Sequence, residues 1–523
     1  MPFRSEATQL RMTKAGKEEG FHRAYEEALG RVRSGLGAHL PLYIGEEEVR
    51  TGSEVGRVSP VDGRLVLAHL QTADGRHVDM AVAAAQEAFA GWSSLDYRNR
   101  VATMLRAADM METRKFELAA LMTLDNGKTR SEAVGDVDEA IDYLRYYSEE
   151  MVRNRGYARN IRGVYPGERV KGVLRPLGVW GILAPFNFPL AITVGMTVGA
   201  LVTGNTAVLK PASDSPLPAV EFYRTMREAG LPAGVLNLVT GSGKSVGRPL
   251  VEHPGVAGIA FTGSFAVGSR AYLDFSRSGP RPFISEMGGK NAAIVTGKAD
   301  LTKAAEGVAK GAFGYGGQKC SATSRAIVFR EVKEEFTEEL VRRASKLKLG
   351  DPARRETFLG PVINEAAYAK YAGAVEEARR DGRILLGGRR ATEGDMRHGF
   401  YVEPTIVDGL PTGHRVTVEE LFVPFLSVTE ADGLEEAVGL ANGVEYGLTA
   451  AIFSEDPGEV EYFFEHVQAG VAYVNRSVGA TTGAMVGVQP FVGWKHSGST
   501  GKGAGSWYYL PQFMREQARS TYG

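Results

Sequence analysis

Leu177-Gly-Val-Trp-Gly-Ile-Leu-Ala-Pro-Phe-Asn-Phe-Pro189, followed by Thr206-Ala-Val-Leu-Lys210, opens the stretch that decides the fold. Each piece is a short β-rich apolar run that gives way to a turn or a helical segment. The rhythm returns at 235–239, 258–261 and 281–286. Helix-permissive sequence lies between these runs, most clearly from Ser215-Pro216 to Gly230-Leu-Pro232, with proline at its start and glycine at its stop. Such alternation predicts parallel strands joined by crossover helices, an α/β doubly wound sheet that binds a nucleotide at its switch point. The apolar run 179–202 is long enough to span a membrane, but Pro185, Asn187 and Pro189 interrupt it. A strand, a turn and a buried helix fit it better, and no membrane partner is expected.

Outward from this stretch, composition sets bounds. A chain of 523 residues is too long for one ordinary core. Lys+Arg 61 against Asp+Glu 62 leaves a net charge of −1, which gives no electrostatic case for nucleic acid. The single cysteine excludes an internal disulfide and a cysteine-cluster metal site, so no metal is expected, and it suits a reducing cytoplasm. The opening Met-Pro-Phe-Arg-Ser-Glu lacks the apolar segment of a secretory signal, and acids among its neighbours argue against a transit peptide.

Residues 1–45 read as an N-terminal arm packing on the body. Helical patterns at 77–92, 98–111 and 130–153 show no chemistry. Residues 154–174 read as a basic hairpin with its turn at Pro166-Gly167. Gly241-Ser-Gly-Lys-Ser245 imitates the end of a phosphate-cradling loop, but the first glycine that loop needs would fall at Leu238. Gly241, Gly243 and Gly247 miss the dinucleotide spacing by one residue, so neither pattern is taken as a binding motif. Phe261-Thr-Gly-Ser-Phe-Ala-Val-Gly268 follows a strand and opens a helix, where backbone N–H groups can face a pyrophosphate. Trp507, Tyr508 and Tyr509 make the tail too aromatic for disorder and predict that it packs on a neighbour.

Cys320 lies in Gly314-Tyr-Gly-Gly-Gln-Lys-Cys-Ser-Ala-Thr-Ser-Arg325. A lone cysteine is commonly a small buried apolar residue. Here three glycines allow close backbone approach, and Gln318, Lys319 and Ser321 are wrong for an apolar core. A thiol in such a turn can be ionised and reached, as a nucleophile requires.

Gly-Gln-Lys-Cys-Ser-Ala resembles the nucleophile segment of the aldehyde dehydrogenase superfamily. Phe261–Gly268, Gly399-Phe-Tyr-Val-Glu-Pro-Thr-Ile, Glu419-Glu-Leu-Phe-Val-Pro-Phe, Asn442 and Tyr446-Gly-Leu-Thr match that family's pattern in order. The resemblance implies a Rossmann-like cofactor domain (1–153 and 175–286 with the arm), an α/β catalytic domain (287–490), and a small β oligomerisation element (154–174 and 491–523). It implies NAD, a small-molecule aldehyde and a homodimer or homotetramer. Cys320 would be the nucleophile. Asn187, with the backbone N–H of Cys320, would hold the oxyanion, unless it only shapes its turn. Glu286 would be the general base, the alternative being a solvated loop glutamate. Gly263 and Ser264 would approach the phosphates, Lys210 the adenosine ribose, Glu420 the nicotinamide ribose, and Phe186 and Phe422 the region of the ring. Val423 stands where the family has glycine. Ser213, where NAD-selective members carry glutamate, leaves NADP tolerated beside NAD; the neighbouring Asp214 favours NAD.

Thr482-Gly-Ala-Met-Val-Gly-Val-Gln-Pro-Phe491 resembles the substrate-anchor loop of Δ1-pyrroline-5-carboxylate dehydrogenases, which oxidise glutamate γ-semialdehyde. Backbone N–H groups at Gly483 and Ala484, with the Ser321 hydroxyl, can hold a substrate carboxylate without an arginine. The alternative is a glycine turn serving any small aldehyde in a broad-specificity enzyme, or, with the catalytic residues idle, a structural relative. Val492 in Pro490-Phe-Val-Gly493 and the extra Gly479-Ala-Thr depart from the family pattern.

Overall fold

Val179–Leu183 is the first of five parallel strands in the computed structural model, which describes residues 7–523. The opening six residues, where no secretory signal was read, lie outside the described residues. From Val179–Leu183 the chain steps outward to Thr206–Lys210 and Leu236–Leu238, then returns to the other side as Val256–Thr262 and Phe283–Glu286. The order reverses between Val179–Leu183 and Val256–Thr262, so the loops leaving these two strands flank the crevice where such sheets take ligands. Those loops carry Phe186 and Asn187 on one side, and Gly263 and Ser264 on the other.

The apolar run 179–202 divides as its prolines require. After the strand and turn comes the helix Ala191–Val202, apolar on every face and buried on nearly all of them. Among the described residues no helix is long and apolar enough to cross a membrane. The arm packs on the body through Phe21, Tyr25 and Ala28 of the helix Glu18–Ser34, all fully buried. It also does something the sequence did not suggest. Leu42–Ile44 joins the nucleotide sheet, antiparallel to Leu236–Leu238, and Glu47–Val49 closes that edge.

The second half builds another seven-stranded sheet, in the order Arg383–Leu386, Thr405–Asp408, Phe425–Ala431, Thr323–Phe329, Asn291–Val295, Thr449–Phe453 and Val471–Val474. All of its pairs are parallel except the first. The expected hairpin forms from Ala158–Arg162 and Glu168–Pro176 around Gly167, whose φ of +78° needs a glycine.

The tail divides. Tyr509 stacks on Tyr147 at 5.4 Å and Phe513 packs on Trp180 at 4.4 Å, both within the same chain, while Trp507 and Tyr508 are exposed. Met514–Tyr522 then pairs antiparallel with Glu168–Pro176 along its whole length. Of the three aromatics expected to pack on a neighbour, Tyr509 packs within its own chain, while Trp507 and Tyr508 stay on the surface.

Candidate active site

A cleft of about 830 Å³ opens at the reversal of the nucleotide sheet and runs to Cys320. Phe186, Asn187, Gly263 and Ser264 line it from the two loops that flank the reversal. Lys210, Glu420, Phe422 and Cys320 complete the meeting of expected residues.

The Cys320 turn is held from behind. Gly314–Gly317 is a short 3-10 turn in which Tyr315, Gly316 and Gly317 take positive φ. Asn291, at the start of its strand, donates from Nδ2 to the carbonyls of Cys320 and Ala322 at 2.7 and 2.9 Å. Gly289 lies so close to the Cys320 carbonyl that a Cβ there would collide with it. The thiol is free and partly exposed, so it can be reached. Its ionisation differs from expectation. Burial above all, then the carboxyls of Glu420 and Glu286, push the Cys320 thiol far up, and the turn's own cation, Lys319, is paired with Glu132.

Asn187 is buried at 3% exposure. Its turn is fixed by groups outside the sheet: Asn126 Nδ2 donates to the Phe186 carbonyl at 3.1 Å, and Lys128 Nζ stands 3.5 Å over the ring of Phe188. Lys128 pairs with Asp136 at 2.7 Å, both at zero exposure, and the other Asp136 oxygen accepts from the N–H of Ala191. Glu132, on the same helix as Asp136, pairs with Lys319 beside the nucleophile. The helix Arg130–Arg153 therefore stands behind the turns of both Asn187 and Cys320, although its sequence showed no chemistry.

Glu286 ends its strand as expected but is not a solvated loop residue. Its carboxyl is buried and accepts from the backbone N–H of Gly493, while Oε2 has no hydrogen-bond partner among the described residues. Burial raises it well above the usual glutamate range. It does not border the cleft, yet its charge is felt at Cys320.

The cofactor-side residues fit a dinucleotide. Ser264 precedes the helix Phe265–Ser276 without spending its side chain on a cap, so that helix's first N–H groups border the cleft beside Ala266 and Val267. Lys210 is not a surface lysine: burial lowers it to about 8, with Asp214 opposing, and Nζ donates to the Pro211 carbonyl at 2.9 Å. Glu420 Oε1 accepts from Gly289 N–H at 3.0 Å, and burial raises its carboxyl to about 7. Phe422 meets Phe186 edge to face at 5.7 Å. The positive φ of this segment falls on Phe422 (+60°), and Val423 packs in the core without one, so the absent glycine leaves no strain at that position.

Ser213 is exposed and donates to the Gly241 carbonyl at 3.1 Å; Asp214, next to it, is the one that lines the cleft. Gly243 and Gly247, set aside as mis-spaced, also line it, from a π-helical turn.

Past Cys320, the anchor loop abuts the nucleophile segment. Thr481 Oγ1 donates to the Ser321 carbonyl at 2.7 Å and meets Thr323 Oγ1 at 2.8 Å. Gly483 takes φ +101°, and Arg476 reaches it from the end of the last strand, a residue the sequence reading passed over. Cys320 thus stands between a nucleotide-sized cleft, which Ser321, Gly483 and Ala484 do not line, and the segment tied to that loop.

Residues 48–518 match the aldehyde dehydrogenase family. A 1-pyrroline-5-carboxylate dehydrogenase of Geobacillus sp. (strain WCH70) is 40% identical over 498 residues, covering 94% of this chain and 95% of that one. The solved 1-pyrroline-5-carboxylate dehydrogenase from Thermus with bound NAD superposes with a TM-score of 0.91 at 38% identity, covering 96% of each chain. Proline utilization A from Bdellovibrio bacteriovorus superposes equally well at 36% identity, with 97% of this chain spanning 52% of that longer one. With its sheets, crevice and cysteine turn so matched across nearly its whole length, the chain belongs to the aldehyde dehydrogenase family.

Proposed function

We propose that this chain oxidises L-glutamate γ-semialdehyde to L-glutamate with NAD. One observation carries the reading. The carbonyl of Ser321, the residue after Cys320, accepts from Thr481 Oγ1 at 2.7 Å, which ties the start of the anchor loop to the Cys320 segment. Its relatives of 37–40% identity in Geobacillus and Bacillus subtilis bear the 1-pyrroline-5-carboxylate dehydrogenase name.

The Cys320 sulfur adds to the aldehyde carbon and passes its proton to a base, giving a tetrahedral thiohemiacetal. The Asn187 amide and the Cys320 N–H hold the oxygen as its charge develops. NAD, when bound, supplies the acceptor for the hydride that leaves the carbon. The chain is left with a thioester on Cys320. Glu286 takes a proton from water, which attacks the thioester carbon and releases the carboxylate and the thiol. Lys210 and Asp214 would hold the adenosine ribose, Gly263 and Ser264 the phosphates, and Glu420 the second ribose. Phe186 and Phe422 would wall the ring. An acid at Asp214 opposes a 2′-phosphate, so NAD is the preferred cofactor, with NADP tolerated.

The domain division 1–153 with 175–286, 287–490, and 154–174 with 491–523 follows from the same reading. So does a homodimer or homotetramer built through the hairpin, whose Ile161, Val164 and Tyr165 are exposed apolar side chains. A free, unpaired thiol as nucleophile suits the cytoplasm.

The test is the rate of nicotinamide reduction with glutamate γ-semialdehyde and with simple aldehydes, under NAD and NADP. Preference for the semialdehyde supports the reading. Better turnover of hexanal or benzaldehyde makes it a broad-specificity enzyme, and no turnover with any pair refutes the enzymatic role.

A further inference from the structure

A charge lies against the anchor loop that backbone capture alone does not require. Val471–Val474 is the edge strand of the second sheet, and the chain leaves it through Asn475 and Arg476. Arg476 Nε donates to the Thr482 carbonyl at 2.8 Å, and its own carbonyl accepts from Ala480 N–H at 3.0 Å. The Nη2 end lies against Gly483, where a Cβ would collide with it, so glycine at 483 is needed for the guanidinium to approach as well as for its φ of +101°. The guanidinium carbon stands 5.3 Å from the ring of Tyr473. Arg476 is half-buried, and the partner recorded for its side chain among the described residues is a carbonyl, not a carboxylate. Among the described residues no carboxylate pairs with Arg476, and this half-buried cation, set against Gly483 and next to Ala484, is a site prepared for an anion.

We propose that Arg476 is a specificity-determining residue: its charge, added to the N–H groups of Gly483 and Ala484, makes the anchor select aldehydes that carry a carboxylate. This rests on the reading that the loop takes the acid end of glutamate γ-semialdehyde. The same arginine also props the loop through Thr482, so the test must separate charge from support. R476Q keeps a donor for the Thr482 carbonyl and loses the charge; R476K keeps the charge.

The measurement is kcat/KM for glutamate γ-semialdehyde divided by that for butanal, in native enzyme and both variants. Beside it, L-glutamate is titrated as a protectant of Cys320 against iodoacetamide, a binding readout without turnover. R476Q should lose roughly tenfold in the ratio and need about tenfold more L-glutamate, as befits one hydrogen bond to a charged group. R476K should retain the ratio within about threefold, and it decides alone should R476Q not fold. A ratio that holds in R476Q, or that collapses equally in R476K, overturns the proposal and leaves the proposed function standing. A native enzyme with no preference for the semialdehyde overturns that function and this inference with it.

Discussion

At Cys320 burial works against the ionic form that the chemistry uses. The thiol is pushed up by desolvation and then by two carboxyls, so it gives up its proton only when a base takes it during attack. Glu286, itself raised by burial, acts as a base only when ionised. Both shifts have the same sign: kcat should climb with pH along a limb centred well above the ordinary glutamate value of about 4.3. A pH–rate profile taken inside the range of native stability checks this, and a limb centred near the ordinary value would remove Glu286 from the role. E286Q should cut kcat by roughly 10²–10⁴ and leave acyl-protein visible by mass after acid quench. Glu420 gives a second pH signature, on stability. Its folded value of about 7 lies above the unfolded one, so the folded state binds the extra proton between them. The stability contribution is full below the unfolded value and is lost as pH rises through about 7. Chemical-denaturation midpoints against pH should therefore fall less steeply in E420Q, which keeps an acceptor for Gly289 N–H.

The elements behind the site are where sequence and structure part. The strands that lead to Asn187 and Gly263, and those that end in Lys210 and Glu286, were legible because parallel strands buried on both faces read as continuous apolar runs. The helix Lys115–Asn126 was not, since its residues are buried on every face and leave no polar stripe to mark a period. The three-residue strand Leu42–Ile44 is too short to show alternation, and its place is set by a partner nearly 200 positions away. Lys128, in the short connection before the helix, and Asp136, on it, escaped notice because lone charged residues read as solvated; only tertiary packing reveals that both are sealed. That sealing makes a prediction. K128M would leave Asp136 as a buried charge without its cation and should destabilise the fold by about 3–5 kcal/mol. K128M/D136N removes the charge but keeps an oxygen for Ala191 N–H, and should recover more than half of the loss. Denaturant midpoints for the two variants decide it; equal midpoints would mean that the pair contributes nothing beyond packing.

For the whole molecule, the arrangement joins two seven-stranded sheets with Cys320 between them, and adds a three-stranded sheet made from sequence-distant pieces. Met514–Tyr522 pairs with Glu168–Pro176 in an unbroken nine-residue register, from Met514 opposite Pro176 to Tyr522 opposite Glu168. The last buried anchors, Tyr509, Leu510 and Phe513, lie just before this strand, and nothing after Met514 borders the cleft. Removing residues 515–523 should therefore spare the core and the cleft while baring one edge of the hairpin sheet. That sheet also presents Val164 at 83%, Tyr165 at 65% and Tyr522 at 65% exposure, more apolar surface than a lone projecting ribbon needs. If copies of the chain associate there, the truncated protein should sediment as a smaller species while its thermal transition stays cooperative. Its kcat should then hold within about threefold, because each cleft is formed from one chain. Unchanged sedimentation would move the contact elsewhere, and loss of kcat together with assembly would mean that a neighbouring copy steadies the anchor loop, where Val488, Trp507 and Tyr508 are exposed.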